Sequence, residues 1–284
     1  MPELPEVETV RRALASRLEG AVIRTVDIRR PDLRWKIPRM LSERLSGCTI
    51  KEFDRLGKHL LVHLDSGDTW LVHLGMSGRF SLHLRDDVDG GDGRHDHVIV
   101  ELEDDRRLVY TDPRRFGSMD VIATADVMSH RSLSTLGPDP TRIDFDGNTL
   151  AASLRGRRVV VKSALLDQRI IAGVGNIYAC EALHMAGISP RRKVNTLVKK
   201  DGTSTARLES LASSVSSILD RAIEVGGSTL RDFSSLDGQE GLFPIEFRVY
   251  DRAGEICSTP VCDGRVQRIV QHGRSTFWCS GCQR

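Results

Sequence analysis

The chain has 284 residues, 39% of them apolar, which is enough for a packed core and too much for wholesale disorder. It has no run of about 18 apolar residues and its start lacks a secretory pattern, so a soluble, intracellular protein is expected. The net charge of +2 conceals an asymmetry: residues 151–284 carry +6 and residues 1–150 carry −4, which gives the second half either a solvated basic face or a surface for a polyanion.

The first stretch is MPELPEVETVRR. Removal of Met1 would leave Pro2 as a free secondary amine, titrating at roughly 7.7–8.0, with Glu3 and Glu6 as nearby carboxylates. The same letters fit an ordinary helix start, with Pro2 at the first helical position and acidic residues at the positive end of the dipole. Leu4, Val7, Val10, Leu14 and Leu18 form one apolar stripe, and Gly20 is placed to end the helix.

From Ala21 to about Ile122 the pattern becomes β. AVIRTVDIR, TIKEFDRL, HLLVHL, TWLVHL, RFSLHL, HVIVELE and RRLVY are short runs separated by turn residues, as in a sandwich or a barrel. Residues 39–47 read as a short helix, and the acidic, glycine-rich stretch 86–93 as a loop. Three pieces stand out. Lys58 sits in a strand–strand turn after Gly57. LVHLGMSGRF sets His73 and Met76 among glycine turns. YTDPRRFGSM carries Arg114, Arg115 and Phe116 on a loop, a combination suited to phosphate contact and insertion into a base stack. Each has an ordinary alternative in a solvated charge or a core apolar residue.

Gly137, Pro138 and Pro140 suggest a linker. The period then turns helical over NTLAASLRG, VVVKSALLDQ, the stretch from Asn176 to about Gly187, and 203–225. Gly173 and Gly175 ahead of Asn176 make either an anion-facing turn or a helical hairpin with a structural cap. GGSTLRDFSSLDGQEGLFP reads as a long loop. The tail, Cys257-x4-Cys262-x16-Cys279-x2-Cys282, suits one structural zinc held by four thiolates, with VQRIV and STFWC as hairpin strands. Cys48 and Cys180 read as isolated buried thiols.

Taken together, PELPEVETVRR, Gly57-Lys58, LVHLGMSGR, HDHV, YTDPRRFG, GVGNIYACEAL, GGSTLRDF and the cysteine tail with Arg274 resemble the bacterial formamidopyrimidine-DNA glycosylase family, also called 8-oxoguanine DNA glycosylase. The resemblance implies a mixed α+β, multidomain fold: an N-terminal β-sandwich (1–135), a linker (136–150), a helix–two-turns–helix domain (151–247) and a zinc finger (248–284). It implies a monomer acting on double-stranded DNA with oxidised bases or abasic sites, as a glycosylase and a lyase. Pro2 would be the Schiff-base nucleophile, Glu3 the acid/base, Lys58 and Arg274 helpers of elimination. His95, Arg114, Arg157, Lys162 and Asn176 would touch DNA. Met76, Arg114 and Phe116 would fill the gap left by the flipped nucleotide, and residues 226–237 would cradle it. The alternatives are an endonuclease VIII-like pyrimidine specialist and a catalytically silent DNA-binding paralogue. Leu4 and the Met76/Arg114/Phe116 set favour oxidised purines. The chain departs from the family in the x4 first cysteine pair, a longer acidic loop before His95, and Phe243 in place of an aromatic hydroxyl.

Overall fold

The computed structural model describes residues 2–84, 93–228 and 246–284. The acidic stretch 86–92, residues 229–237 of the loop expected to cradle a base, and Phe243 lie outside the described residues. The chain divides into two compact units, Met1–Ser134 with Gly226–Leu242, and Thr135–Val225 with Phe243–Arg284.

In the first unit, helix α1 (Leu4–Leu18) buries the whole predicted stripe. Five buried aliphatic side chains at about 1.5–3 kcal/mol each make this face the main reason the helix stays docked. Its start differs from the sequence reading. Pro2 precedes the cap, Glu3 is the cap, and Pro5 takes the first-turn position where a missing N–H costs nothing. Gly20 then adopts φ +84°, a left-handed conformation that ends the helix.

Strands β1 (Ile23–Ile28), β2 (Ile50–Leu56), β3 (His59–Leu64), β4 (Asp68–His73), β5 (Arg79–Leu84), β6 (Asp96–Leu102), β7 (Arg106–Thr111) and β8 (Ser118–Ala123) follow, with the short helix α2 (Leu41–Leu45) between β1 and β2. They form two antiparallel sheets, ordered β1-β6-β7-β5 and β2-β3-β4-β8. Of the two architectures that the spacing allowed, the structure takes the sandwich. Val26, Phe80, Val98 and Tyr110 from one sheet share a core with Phe53, Val62, Trp70 and Val121 from the other, and Val7, Val10 and Leu14 of α1 join it. Trp70 and Phe80 meet edge to face across the layers, with centroids 5.9 Å apart. Strand β8 has no counterpart among the predicted runs. Only Met119 and Val121 point inward along it, too short an alternation to read, and its pairing with β4 establishes it.

The second unit contains α3 (Gly147–Leu154), α4 (Val161–Leu166), α5 (Asn176–Met185), α6 (Ala206–Glu224) and the hairpin β9 (Val266–Gln271)–β10 (Arg274–Cys279). Asp146 and Thr205 cap α3 and α6 by accepting backbone N–H bonds. Between α4 and α5, Gly173 takes φ +82° and Gln168 locks the turn, receiving Gly173 N–H (2.8 Å) and donating to Val174 O (2.8 Å). Helix α5 is buried on nearly every side, so this ten-residue element is the centre of the unit. Among the described residues no helix is long and apolar enough to cross a membrane.

Candidate functional site

Pro2 and Glu3 are buried at the head of α1. A reciprocal capping box fixes them: the Glu3 carboxylate accepts the Glu6 backbone N–H, and Glu6 Oε2 accepts the Glu3 N–H at 2.8 Å. Glu6 is fully buried, and its Oε1 also accepts the Ser228 N–H and hydroxyl, both at 2.8 Å. A Cβ on Gly227, which has φ +82°, would stand 3.1 Å from that oxygen. The two glutamates therefore divide. Glu6 is committed to holding the chain, and Glu3 keeps its carboxylate at the positive end of the helix, where the anion is favoured. The letters alone grouped both as acid/base candidates.

Lys58 is mostly buried, not a solvated turn lysine. Gly57 makes its turn at φ +57°. Arg55 donates to Gly57 O (3.1 Å) and to Glu8 Oε2 of α1 (3.1 Å), and Arg11 and Arg12 also bond Glu8. Burial alone would raise the Glu8 pKa, but the Arg11 and Arg12 hydrogen bonds and the nearby Arg55 charge pull it to about 2. One carboxylate thus ties the Lys58 end of the sheet to the helix that carries Pro2. Beside Lys58, His59 and His73 meet edge to face with centroids 4.9 Å apart. Burial pushes their pKa values down to about 4 and about 3, and the Lys58 charge adds to the shift. Both imidazoles are neutral at pH 7. His73 Nδ1 accepts the Gly75 N–H at 3.0 Å, which fixes the turn into Met76 and leaves its proton on Nε2.

The structure brings Met76, Arg114 and Phe116 onto neighbouring loops. Asp112, fully buried, organises them. Its Oδ1 accepts the Ser77 hydroxyl (2.6 Å), and its Oδ2 accepts Gly117 N–H (2.8 Å) and the Tyr110 hydroxyl (3.4 Å). Ser77 Oγ in turn accepts Arg114 N–H at 3.1 Å. A Cβ on Gly75 would lie 2.3 Å from the Phe116 carbonyl carbon, so only glycine permits the two loops to pack backbone to backbone. Phe116 remains 44% exposed with the Arg114 guanidinium 5.1 Å from its ring centroid. His95, half-buried, accepts the Asp112 N–H through its carbonyl at 3.0 Å. Asp112→Asn presents an NH2 group to donors and is expected to cost about 1.5–3 kcal/mol of stability. Faster amide exchange at Arg114 and Gly117 in the variant is the check. Unchanged exchange would contradict the assignment of Asp112 as organiser.

In the second unit Lys162 lies in the interior, 1% exposed. Its ammonium donates to Ser275 O (3.0 Å) and Thr276 Oγ1 (2.6 Å), and Asn176 Nδ2 donates to the same Ser275 O (3.0 Å). Both polar ends hold the residue next to Arg274, which is itself exposed at the start of β10 after a turn with His272 and Gly273 at positive φ. A lysine so placed supports the hairpin from below; a phosphate contact by Lys162 would require it to leave these partners. Arg157 sits apart, half-exposed after α3, bonded to Ser153 O and 3.9 Å from Asp167. Glu181, which the sequence reading passed over, is buried and accepts three successive backbone N–H groups, of Arg248 (2.9 Å), Val249 (3.0 Å) and Tyr250 (2.7 Å).

The four tail cysteines meet, with all four sulfurs within 4.8 Å of one another. Cys257–Cys282 and Cys262–Cys279 are each 3.7 Å apart. A disulfide would need about 2.05 Å, whereas thiolates about 2.3 Å from a tetrahedral zinc stand about 3.8 Å apart. Gly264 and Gly281 complete the fit: a Cβ on either would lie 2.7 Å from Cys279 Sγ or 3.0 Å from Cys262 Sγ. The x4 spacing of the first pair is absorbed by a loop in which Val261 takes φ +57°. The donor set and its geometry fit a four-thiolate metal centre.

Residues 1–119 match the family model described as formamidopyrimidine-DNA glycosylase N-terminal domain, and residues 136–234 match that of its H2TH domain. The formamidopyrimidine-DNA glycosylase of Ruegeria pomeroyi is 49% identical, with all of both chains covered. The wild-type Lactococcus lactis enzyme, solved with DNA containing N7-benzyl-Fapy-dG, is 35% identical, superposes with a TM-score of 0.88 and is likewise covered in full. The Lactococcus lactis protein solved with DNA containing an abasic site gives a TM-score of 0.86 at 35% identity over 99% of each chain. With sandwich, helical unit and four-cysteine hairpin all matched along the whole length, the chain belongs to the formamidopyrimidine-DNA glycosylase family.

Proposed function

We propose that the protein is a base-excision repair enzyme that removes oxidised purines, 8-oxoguanine and formamidopyrimidines, from double-stranded DNA and then cuts the abasic strand as a lyase. The observation that carries this reading is the capped head of α1, where Glu6 fixes the backbone that presents Pro2 and Glu3. After loss of Met1, the Pro2 nitrogen attacks C1′ of the flipped nucleotide. The C1′–N9 bond breaks and the base leaves with its electron pair, and the proton lost from the Pro2 nitrogen balances the one the base takes up. Glu3 gives a proton to the ring oxygen as the C1′–O4′ bond opens, producing an iminium ion. That ion acidifies the C2′ proton. Its removal expels the 3′ phosphate, a second elimination expels the 5′ phosphate, and water frees Pro2.

Flipping costs a few kcal/mol, offset by Met76, Arg114 and Phe116 in the vacated stack. Lys58 and Arg274 serve the elimination steps as cations near the phosphates, with His95, Arg157 and Asn176 as further DNA contacts. The four cysteines hold one structural zinc, which stiffens the hairpin under Arg274. The division into sandwich (1–135), linker (136–150), helical domain (151–247) and finger (248–284), a monomeric state and a soluble, cytoplasmic location belong to the same reading.

Borohydride trapping with 8-oxoguanine duplex tests it. A covalent protein–DNA adduct is expected from protein whose intact mass shows Met1 removed. No adduct from such protein, under conditions where it binds that DNA, would overturn the assignment. Metal analysis is expected to give about one zinc per chain.

A further inference from the structure

We propose that His184 is a positioning residue for the zinc centre, donating an Nε2–H hydrogen bond to the Cys257 thiolate and thereby fixing the widened first knuckle to helix α5. The proposal rests on the zinc reading above.

His184 is buried on the last turn of α5, with Nε2 3.4 Å from Cys257 Sγ and 3.2 Å from Thr259 Oγ1. Thr259 Oγ1 in turn lies 3.8 Å from Cys282 Sγ. Four thiolates around a divalent ion leave a net charge of −2, and a site with that excess, half of its sulfurs on buried residues, is stabilised by donors aimed at them. The imidazole supplies one at Cys257, and the Thr259 hydroxyl is placed to supply another at Cys282. Because Nε2 must then carry the hydrogen, Nδ1 is left as a bare acceptor. Among the described residues the buried Nδ1 has no hydrogen-bond partner, which suits a lone pair far better than an N–H.

The position of the contact also matters. With four residues between Cys257 and Cys262, the first knuckle has a longer loop to hold in place than the two-residue second one. Glu181 lies three residues before His184 on α5 and clamps the backbone of 248–250, so the two side chains share a face. Together they anchor both the approach to the knuckle and its first ligand.

The test measures zinc release from the holoprotein to excess chelator. His184→Phe is expected to release zinc about 10–100-fold faster than the wild type, and His184→Gln, which keeps an N–H donor, to recover much of the loss. In cobalt-substituted protein the thiolate-to-metal charge-transfer band should move to longer wavelength in His184→Phe and back in His184→Gln, because a lost hydrogen bond raises the donor level of the sulfur. A packing role alone would not give that rescue. Identical release and an unmoved band in His184→Phe would overturn the proposal. If that variant does not fold, Thr259→Val serves: faster release supports the network and an unchanged rate overturns it. A wild-type protein that holds no zinc would sink the metal reading itself, and this inference with it.

Discussion

Glu3→Gln is expected to lower base excision by about 10²–10⁴-fold, the usual contribution of a positioned acid/base group, with α1 still folded. Glutamine keeps an oxygen that can accept the Glu6 N–H, and Glu6 still receives the Glu3 N–H, so the capping box survives in form. Only the charge at the helix head is lost, worth about 0.3–1 kcal/mol. The two consequences separate cleanly in single-turnover excision of 8-oxoguanine and a thermal melt. A further contrast follows from the chemistry. A preformed abasic site equilibrates with its open aldehyde in water and has no glycosidic bond to break, so cutting at such a site should fall much less than excision does. Excision by Glu3→Gln at the wild-type rate would remove Glu3 from the mechanism.

Glu181→Ala is expected to be the most damaging substitution for folding, at about 3–5 kcal/mol. The carboxylate serves the N–H groups of residues 248, 249 and 250 at once, in an environment where an unsatisfied donor costs about 1–3 kcal/mol. Glu181→Gln should fall between. Its oxygen can keep Val249 and Tyr250, which both bond Oε1, while its NH2 faces the Arg248 N–H. Because a two-unit chain need not melt in one step, hydrogen exchange at 248–250 is the more specific readout. Protection lost in Ala and lost only at Arg248 in Gln is the expected pattern. Equal protection in all three proteins would refute the clamp.

These two sites differ in how they could have been found. Glu3 was legible because it stands next to Pro2 at the head of an unmistakable amphipathic stripe, and the pattern of local neighbours is what a sequence displays. The same holds for the β runs, the hairpin at the tail and the spacing of the cysteines. Glu181 and Asp112 were not singled out, although each lies inside a quoted motif, because the groups they hold, three remote backbone N–H groups for Glu181 and Ser77, Tyr110 and Gly117 for Asp112, converge on one carboxylate only when the chain packs. Lys162 shows the converse. The family resemblance implied a DNA contact, and the burial of Lys162 under Ser275 and Thr276 gives it a structural task as well.

The sequence by itself determined the elements and the chemical inventory: a capped helix behind Pro2, a run of short strands, four helices and four clustered thiols. Apolar periodicity and short-range spacing are properties of neighbours, and they survive in one dimension. The tertiary structure alone decided how the carboxylates are used. Glu3 and Glu6 are three residues apart and alike in composition, yet Ser228, 222 residues away, takes one oxygen of Glu6 and leaves Glu3 to the helix head. It also decided that Lys58 is buried, that His59 and His73 are neutral beside it, and that His184 reaches Cys257. Each of these depends on desolvation and on donors brought in from remote parts of the chain, and both come into being only when the chain packs.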